Sequence, residues 1–148
     1  MKPIYMDHHA TTPLDAEVLE AMMPYLTAEF GNPASSTHEW GKRARAAVEK
    51  AREQVAALIG CAPEEIIFTS GATESDNLAL KGTAWRHRDK KGRIITIATE
   101  HKAILDTCKR LRQEGFETVL LPMDSYGRVR LDALAAHLTP DTNLGSIP

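Results

Sequence analysis

The sequence predicts an α/β fold with a mainly parallel sheet, and three observations carry that prediction. Two amphipathic helical stretches open the chain, and strand-like and helix-like segments then alternate three times over. The strand candidates are short and rich in β-branched or apolar residues. Glycines at 60, 82 and 115 close the helical stretches, which separates each helix from the strand that follows. Parallel strands joined through helices need right-handed crossovers, and ligands of such sheets sit at the carboxyl ends of the strands.

Residues 1–13 read as an irregular arm holding Tyr5, Asp7, His8, His9, Thr11 and Thr12. Asp7-His8-His9 is weak as a metal site, because neighbouring histidines rarely converge on one ion and no second cluster at zinc-like spacing supports them. No metal is expected, and the arm is expected to pack on another part of the fold. Pro13 and Asp15 then open a helix whose Val18, Leu19, Met22, Met23 and Leu26 share one face. It is expected to stop near Gly31-Asn32-Pro33. A hydroxyl-rich loop, 34–38, leads to a long helix with Trp40, Ala44, Ala47, Val48, Ala51, Val55, Leu58 and Ile59 as its apolar stripe. That stripe reads as core, and the charges between read as a solvated face.

Residues 64–68 read as the first strand and 77–82 as a helix ending at Gly82. A charged, exposed turn at 86–92 follows, too short and too mixed in sign to mark a nucleic-acid surface. Residues 93–98 read as the second strand and 99–101 as the turn at its carboxyl end. The next helix carries Ile104, Leu105, Cys108 and Leu111 and closes at Gly115. Residues 117–121 are the third strand, 122–127 a turn, and 131–138 a short helix with Leu131, Leu134, Ala135 and Leu138 inward. Residues 139–148 show little pattern, and Gly145 and Pro148 are poor strand material.

Composition narrows the function classes. The chain has 148 residues, 43% hydrophobic and 26% charged, enough for a real core. A net charge of -2 gives no reason to expect nucleic acid or a membrane surface as partner. No apolar run reaches the length of a membrane span, and no signal-peptide pattern stands at the N-terminus. Two cysteines are too few for a disulfide framework, so the cytoplasm is the expected location.

The turn Ser70-Gly71-Ala72-Thr73 speaks most directly about function. A strand turning through glycine into a helix leaves the first amide N–H groups of that helix open, and with the helix dipole they suit a phosphate. Ser70 and Thr73 hydroxyls can add hydrogen bonds. The same residues also read as an ordinary capping box, Thr73 with Asp76 three residues on, and residue types alone favour the cap. A second suspicious turn, Glu100-His101, is expected at another strand's carboxyl end, where a histidine can stack on a flat ligand or move a proton. The coincidence of the two turns strengthens the functional reading of both.

Four ordered motifs now come together: Tyr5-Met6-Asp7-His8-His9-Ala10-Thr11-Thr12-Pro13, Phe30-Gly31-Asn32-Pro33-Ala34-Ser35, Phe68-Thr69-Ser70-Gly71-Ala72-Thr73-Glu74-Ser75-Asp76-Asn77 and Glu100-His101-Lys102-Ala103-Ile104-Leu105. They resemble the opening of cysteine desulfurases of the IscS/NifS type, class-V aminotransferase-like enzymes that use pyridoxal 5′-phosphate (PLP). The resemblance runs from about residue 2 to residue 142. It implies PLP fold type I, with 1–13 as an N-terminal arm near the active site and 14–148 as the N-terminal part of the PLP-binding large domain. By the same resemblance Ala72 and Thr73 bind the PLP phosphate. His101 stacks on the pyridine ring, with proton transfer as a further role open to it. The implied chemistry takes L-cysteine to alanine, with PLP as electron sink and an enzyme cysteine as sulfur acceptor. The sulfur then serves iron–sulfur cluster assembly or thio-modification through an acceptor or scaffold protein, and members are homodimers.

The sequence departs from the family pattern in what it holds. The family's Schiff-base lysine stands in a Ser-x-His-Lys-type motif, and no serine stands two residues before His101, so Lys102 is a decoy. Neither Cys61 nor Cys108 matches the nucleophile. The chain is expected to be a fragment or truncated copy, inactive by itself. Selenocysteine lyase or another class-V enzyme is one alternative reading, and a non-catalytic remnant or interaction fragment is another.

Overall fold

The computed structural model describes residues 3–8 and 10–147, so His9 of the Asp7-His8-His9 run lies outside the described residues. The chain divides into two compact units, Met1–Ile67 and Phe68–Pro148. Residues 3–8 and 10–13 of the arm are exposed, against the expectation of an arm packed on the fold. Its bonds are local: the Tyr5 hydroxyl donates to the Asp7 carbonyl at 2.8 Å.

In the first unit, helix α1 spans Ala16–Thr27. Asp15 caps it by accepting the Glu17 N–H at 2.9 Å. The helix ends earlier than expected because the N–H groups of Ala28 and Glu29 both close on the Pro24 carbonyl. Helix α2 spans Glu39–Ile59, and its ends match the sequence reading, with His38 as N-cap and Gly60 in the left-handed region (φ 74°, ψ 36°) at its close. Gly41 has to be glycine, since a Cβ there would stand 1.9 Å from the Ser35 carbonyl oxygen.

The α2 stripe is not the core that its periodicity predicts. Only Gly41, Ala44 and Ala56 of the helix are buried, while Leu58 is 85% exposed and Trp40, Val55 and Ile59 are also exposed. A helical stripe buries only against a second apolar surface. Here Ala44, Ala47, Val48 and Ala51 line an open groove of about 560 Å³ with Ala21 and Tyr25 of α1.

The expected strand at 64–68 does not form either. Pro63–Glu65 make a 3₁₀ turn, and 66–69 have no regular structure. The Ala62 N–H donates to Glu65 Oε2 at 2.8 Å, which favours the turn. The Ile66 carbonyl accepts from the Arg52 guanidinium rather than from a neighbouring strand.

In the second unit, helix α3 (Ala72–Arg86) leads to strand β1 (Arg93–Ile97). Helix α4 (Lys102–Gln113), strand β2 (Glu117–Leu121), helix α5 (Leu131–His137) and strand β3 (Thr142–Gly145) follow in order. Helix α3 runs through Gly82, where the sequence suggested a stop. One internal glycine costs a helix only about 1 kcal/mol, and buried Leu80 and Ala84 flank it. The sheet has order β2-β1-β3 and both pairings are parallel. Strand β3 is the unforeseen member. Gly145 is tolerated because it is the last strand residue, paired with Ile95. Ser146 N–H then donates to the Ile95 carbonyl at 2.9 Å.

Central β1 organises the core because it is covered on both faces. Ile94 packs with Leu80 and Ala84 of α3, Ile104, Cys108 and Leu111 of α4, and Phe116. On the opposite face Ile95 and Ile97 pack with Leu121, Val119, Met123, Val129, Ala133 and Leu134. The inward face of α5 therefore differs from the expected one. Ala133 and Leu134 face the core, while Leu131, Ala135 and Leu138 are exposed.

Candidate functional site

The carboxyl end of β1 passes through residues 98–101 into α4, and His101 is the helix N-cap. Its Nδ1 accepts the Ala103 N–H at 3.2 Å. An imidazole nitrogen that accepts carries no proton, so neutral His101 holds its hydrogen on Nε2. The residue is exposed. Glu100, half-buried beside it, fixes its backbone: Oε2 accepts the His101 N–H at 3.0 Å, and Oε1 accepts the Ser146 hydroxyl at 2.7 Å. Glu100 thus ties the His101 turn to the end of β3.

Helix α3 places the second turn. Gly71 is its N-cap and Ala72 its first residue, so Thr73 lies inside the helix and cannot cap it. The expected Thr73–Asp76 capping box is replaced by Glu74 reaching back to Ser70, whose N–H and hydroxyl donate to Oε2 at 2.7 and 2.6 Å. Ser70 is thereby engaged, which removes it as the hydroxyl donor expected at the seat. Those bonds, the hydroxyl's foremost, hold the Glu74 carboxyl below its usual range. Ser75 N–H makes the first intrahelical bond, to the Gly71 carbonyl. The amides of Ala72 and Thr73 are therefore first-turn donors, on exposed residues. Among the described residues, apart from Gly71 and its chain neighbours, no atom stands within 4 Å of the point where a Gly71 Cβ would be, so a ligand can approach the backbone there.

Two hydrogen bonds set how the turns relate. Thr107 Oγ1 donates to Asn77 Oδ1 at 2.9 Å, a separation of 30 residues. Trp85 Nε1 donates to Glu114 Oε2 at 2.9 Å, a separation of 29. A nearly constant offset means that α3 and α4 lie parallel and in register. Counting back at about 1.5 Å per residue, Ala72 and His101 are level to within about one residue rise. Packed helices lie about 8–10 Å apart, axis to axis. The helix starts that carry Ala72, Thr73 and His101 thus share the carboxyl end of the sheet.

The residues fit a phosphate-bearing ring. Exposed Ala72 and Thr73 stand at the positive end of α3, and exposed His101 stands at the start of α4. Glu74 is an acidic neighbour, but its carboxylate is turned back onto Ser70. Asn77, Thr107 and Glu100 join the site's framework without having been assigned roles from sequence. The spacing of Asn77 from Thr107 carries no local signal, and the sequence marks Glu100 only as a neighbour of His101 in its turn and motif.

A family model for aminotransferase class-V matches residues 4–147. The chain belongs to that family. Among curated relatives it is 53% identical over 147 residues to the cysteine desulfurase of Homo sapiens, covering 99% of this chain and 32% of the relative. It is 53% identical over 145 residues to the cysteine desulfurase IscS of Rickettsia akari, covering 98% of this chain and 35% of the relative. The chain therefore spans about a third of the length of these curated relatives.

Among solved structures, a NifS-like protein superposes with TM-score 0.88 at 45% identity, covering 97% of this chain and 39% of that one. A structure described as SspA in complex with cysteine superposes with TM-score 0.85 at 38% identity, covering 97% and 41%. The class-V fold expected from the motifs is the fold observed. As in the sequence reading, neither cysteine of this class-V chain looks like a nucleophile. Cys108 is 2% exposed, and burial, with Glu100 adding, pushes its thiol up. Cys61 is half-buried after α2.

Proposed function

We propose that this class-V chain forms the N-terminal part of a cysteine desulfurase, with 1–13 as its arm and 14–148 as part of the PLP-binding large domain. Ala72 and Thr73 seat the PLP phosphate, and His101 lies against the ring. The substrate is L-cysteine. The sulfur passes to an acceptor or scaffold protein for iron–sulfur cluster assembly or thio-modification, the full enzyme works as a homodimer, and its place is the cytoplasm. The observation that carries this reading is the level pairing of the α3 and α4 N-termini, fixed by Thr107–Asn77 and Trp85–Glu114.

When bound, PLP supplies an electron sink for charge developing on the substrate. The chain's own groups bind and orient. First-turn amides of α3 hold the phosphate by charge-assisted hydrogen bonds, which are roughly twice as strong as neutral ones. The Thr73 hydroxyl adds a donor. His101 is held by its Nδ1 bond to Ala103, so Nε2 is the atom left to carry or release a proton. Glu100 keeps the His101 backbone from turning away.

Titration of the full chain with PLP tests the reading. A visible absorbance band and quenching of Trp40 and Trp85 emission are expected. Thr73→Val is expected to weaken binding about tenfold, the worth of one charge-assisted hydrogen bond. A chain whose spectra PLP leaves untouched would overturn the proposal.

A further inference from the structure

We infer that Asn77 and Thr107 are positioning residues that hold the phosphate-seat turn in register with the helix carrying His101. The inference rests on the site reading above. Asn77 Nδ2 donates to the Thr73 carbonyl at 2.9 Å, and Asn77 Oδ1 accepts from Thr107 Oγ1 at 2.9 Å. A carbonyl can only accept, so the amide must turn its NH₂ towards Thr73. Its oxygen then faces Thr107, whose hydroxyl must donate. The orientation is thus forced at both ends.

The pair links the two functional turns directly. One end of the Asn77 amide holds the backbone of Thr73, and the other holds a residue six positions beyond His101 on α4. Thr107 is 4% exposed, so its hydroxyl has no water to replace Asn77. Trp85, exposed, and Glu114, half-buried, clasp the far ends of the same helices, away from the seat. Asn77–Thr107 is the clasp near the seat, and a twist or slide of α3 against α4 has to break it. Asparagine is a poor helix-interior residue, because its side chain competes for backbone groups. At position 77 that tendency is put to use, since the backbone group it takes is the carbonyl of Thr73.

Thr107→Val removes the hydroxyl and keeps the shape, whereas Thr107→Ser keeps the hydroxyl. Two measurements on the full chain separate the possibilities. Without PLP, amide exchange at Ser75, Asp76 and Asn77 is expected to quicken about fivefold in Thr107→Val, the size of one net hydrogen bond, and to return towards wild type in Thr107→Ser. With PLP, the dissociation constant is expected to rise by about the same factor in the Val variant and to recover in the Ser variant. Unchanged exchange in Thr107→Val overturns the register claim. Altered exchange with unchanged PLP affinity overturns its role towards the cofactor. A wild-type chain that does not bind PLP refutes the proposed function, and the exchange result still decides whether the clasp exists.

Discussion

Thr107 and Asn77 stand 30 residues apart in sequence and 2.9 Å apart in space, and this bond ties helix α3 to helix α4. The same two helices also meet through Leu80 and Ala84 of α3 and Ile104, Cys108 and Leu111 of α4. The Trp85–Glu114 bond repeats nearly the same offset at the other end, so the register is set at two points.

His101 has two separable duties, capping α4 and presenting an imidazole. Asparagine is among the best N-caps. His101→Asn is therefore expected to keep the stability of α4 while losing ring contact with PLP. His101→Ala is expected to lose both, with a stability cost of about 1 kcal/mol. Urea unfolding beside PLP titration measures the two duties. Equal PLP affinity for wild type and His101→Asn would show that the imidazole has no part in binding.

Glu74 gives the start of α3 a pH dependence. Its folded-state pKa lies below its ordinary value, chiefly through the Ser70 hydroxyl and then the Ser70 N–H. The contribution is therefore complete above the ordinary carboxylate range and is lost as the pH falls through the lowered value. Amide protection at Ser75 is expected to fall with acid in the wild type. In Glu74→Gln it should stay flat over the same window. Matching pH profiles for the two proteins would contradict the assignment.

Cys108 should behave as an inert core thiol. Burial, with a further push from Glu100, disfavours its thiolate. Alkylation followed by mass spectrometry at mildly alkaline pH is expected to label Cys61 in the folded chain, and Cys108 only after denaturant is added. Rapid labelling of Cys108 in the native protein would place it elsewhere than the core.

Core and surface leucines give a contrast in stability. Leu111 is 0% exposed and Leu58 is 85% exposed. Leu111→Ala is expected to cost about 2–5 kcal/mol. Leu58→Ala should stay within about 0.5 kcal/mol. A large loss at Leu58, read by urea unfolding of the full protein, would mean that the α2 face is covered.

Local chemistry made much of this chain legible. The limits of α2 follow from a polar loop before it and Gly60 after it, and β1 and β2 are the β-branched runs at 93–97 and 117–121. The α4 face was readable because Ile104, Cys108 and Leu111 recur at helical spacing, and all three are buried. Ala72, Thr73 and His101 drew attention through the motif resemblance, beside a glycine turn and a histidine expected at the carboxyl ends of strands. The rest was hidden for equally physical reasons. A strand exists only if another strand meets it, so the apolar run at 64–68 left the sheet and the unpromising 142–145 joined it.

The sequence by itself determined which segments are helical, where most of them begin and end, and which class-V motifs they carry, because capping and periodicity act within a few residues of chain. Only the tertiary structure decided that helices α3 and α4 start side by side at the sheet's carboxyl end, and that much of the α2 stripe stays exposed. Both depend on which surfaces meet: Asn77 finds Thr107 across two packed helices, whereas Leu58 stays 85% exposed among the described residues.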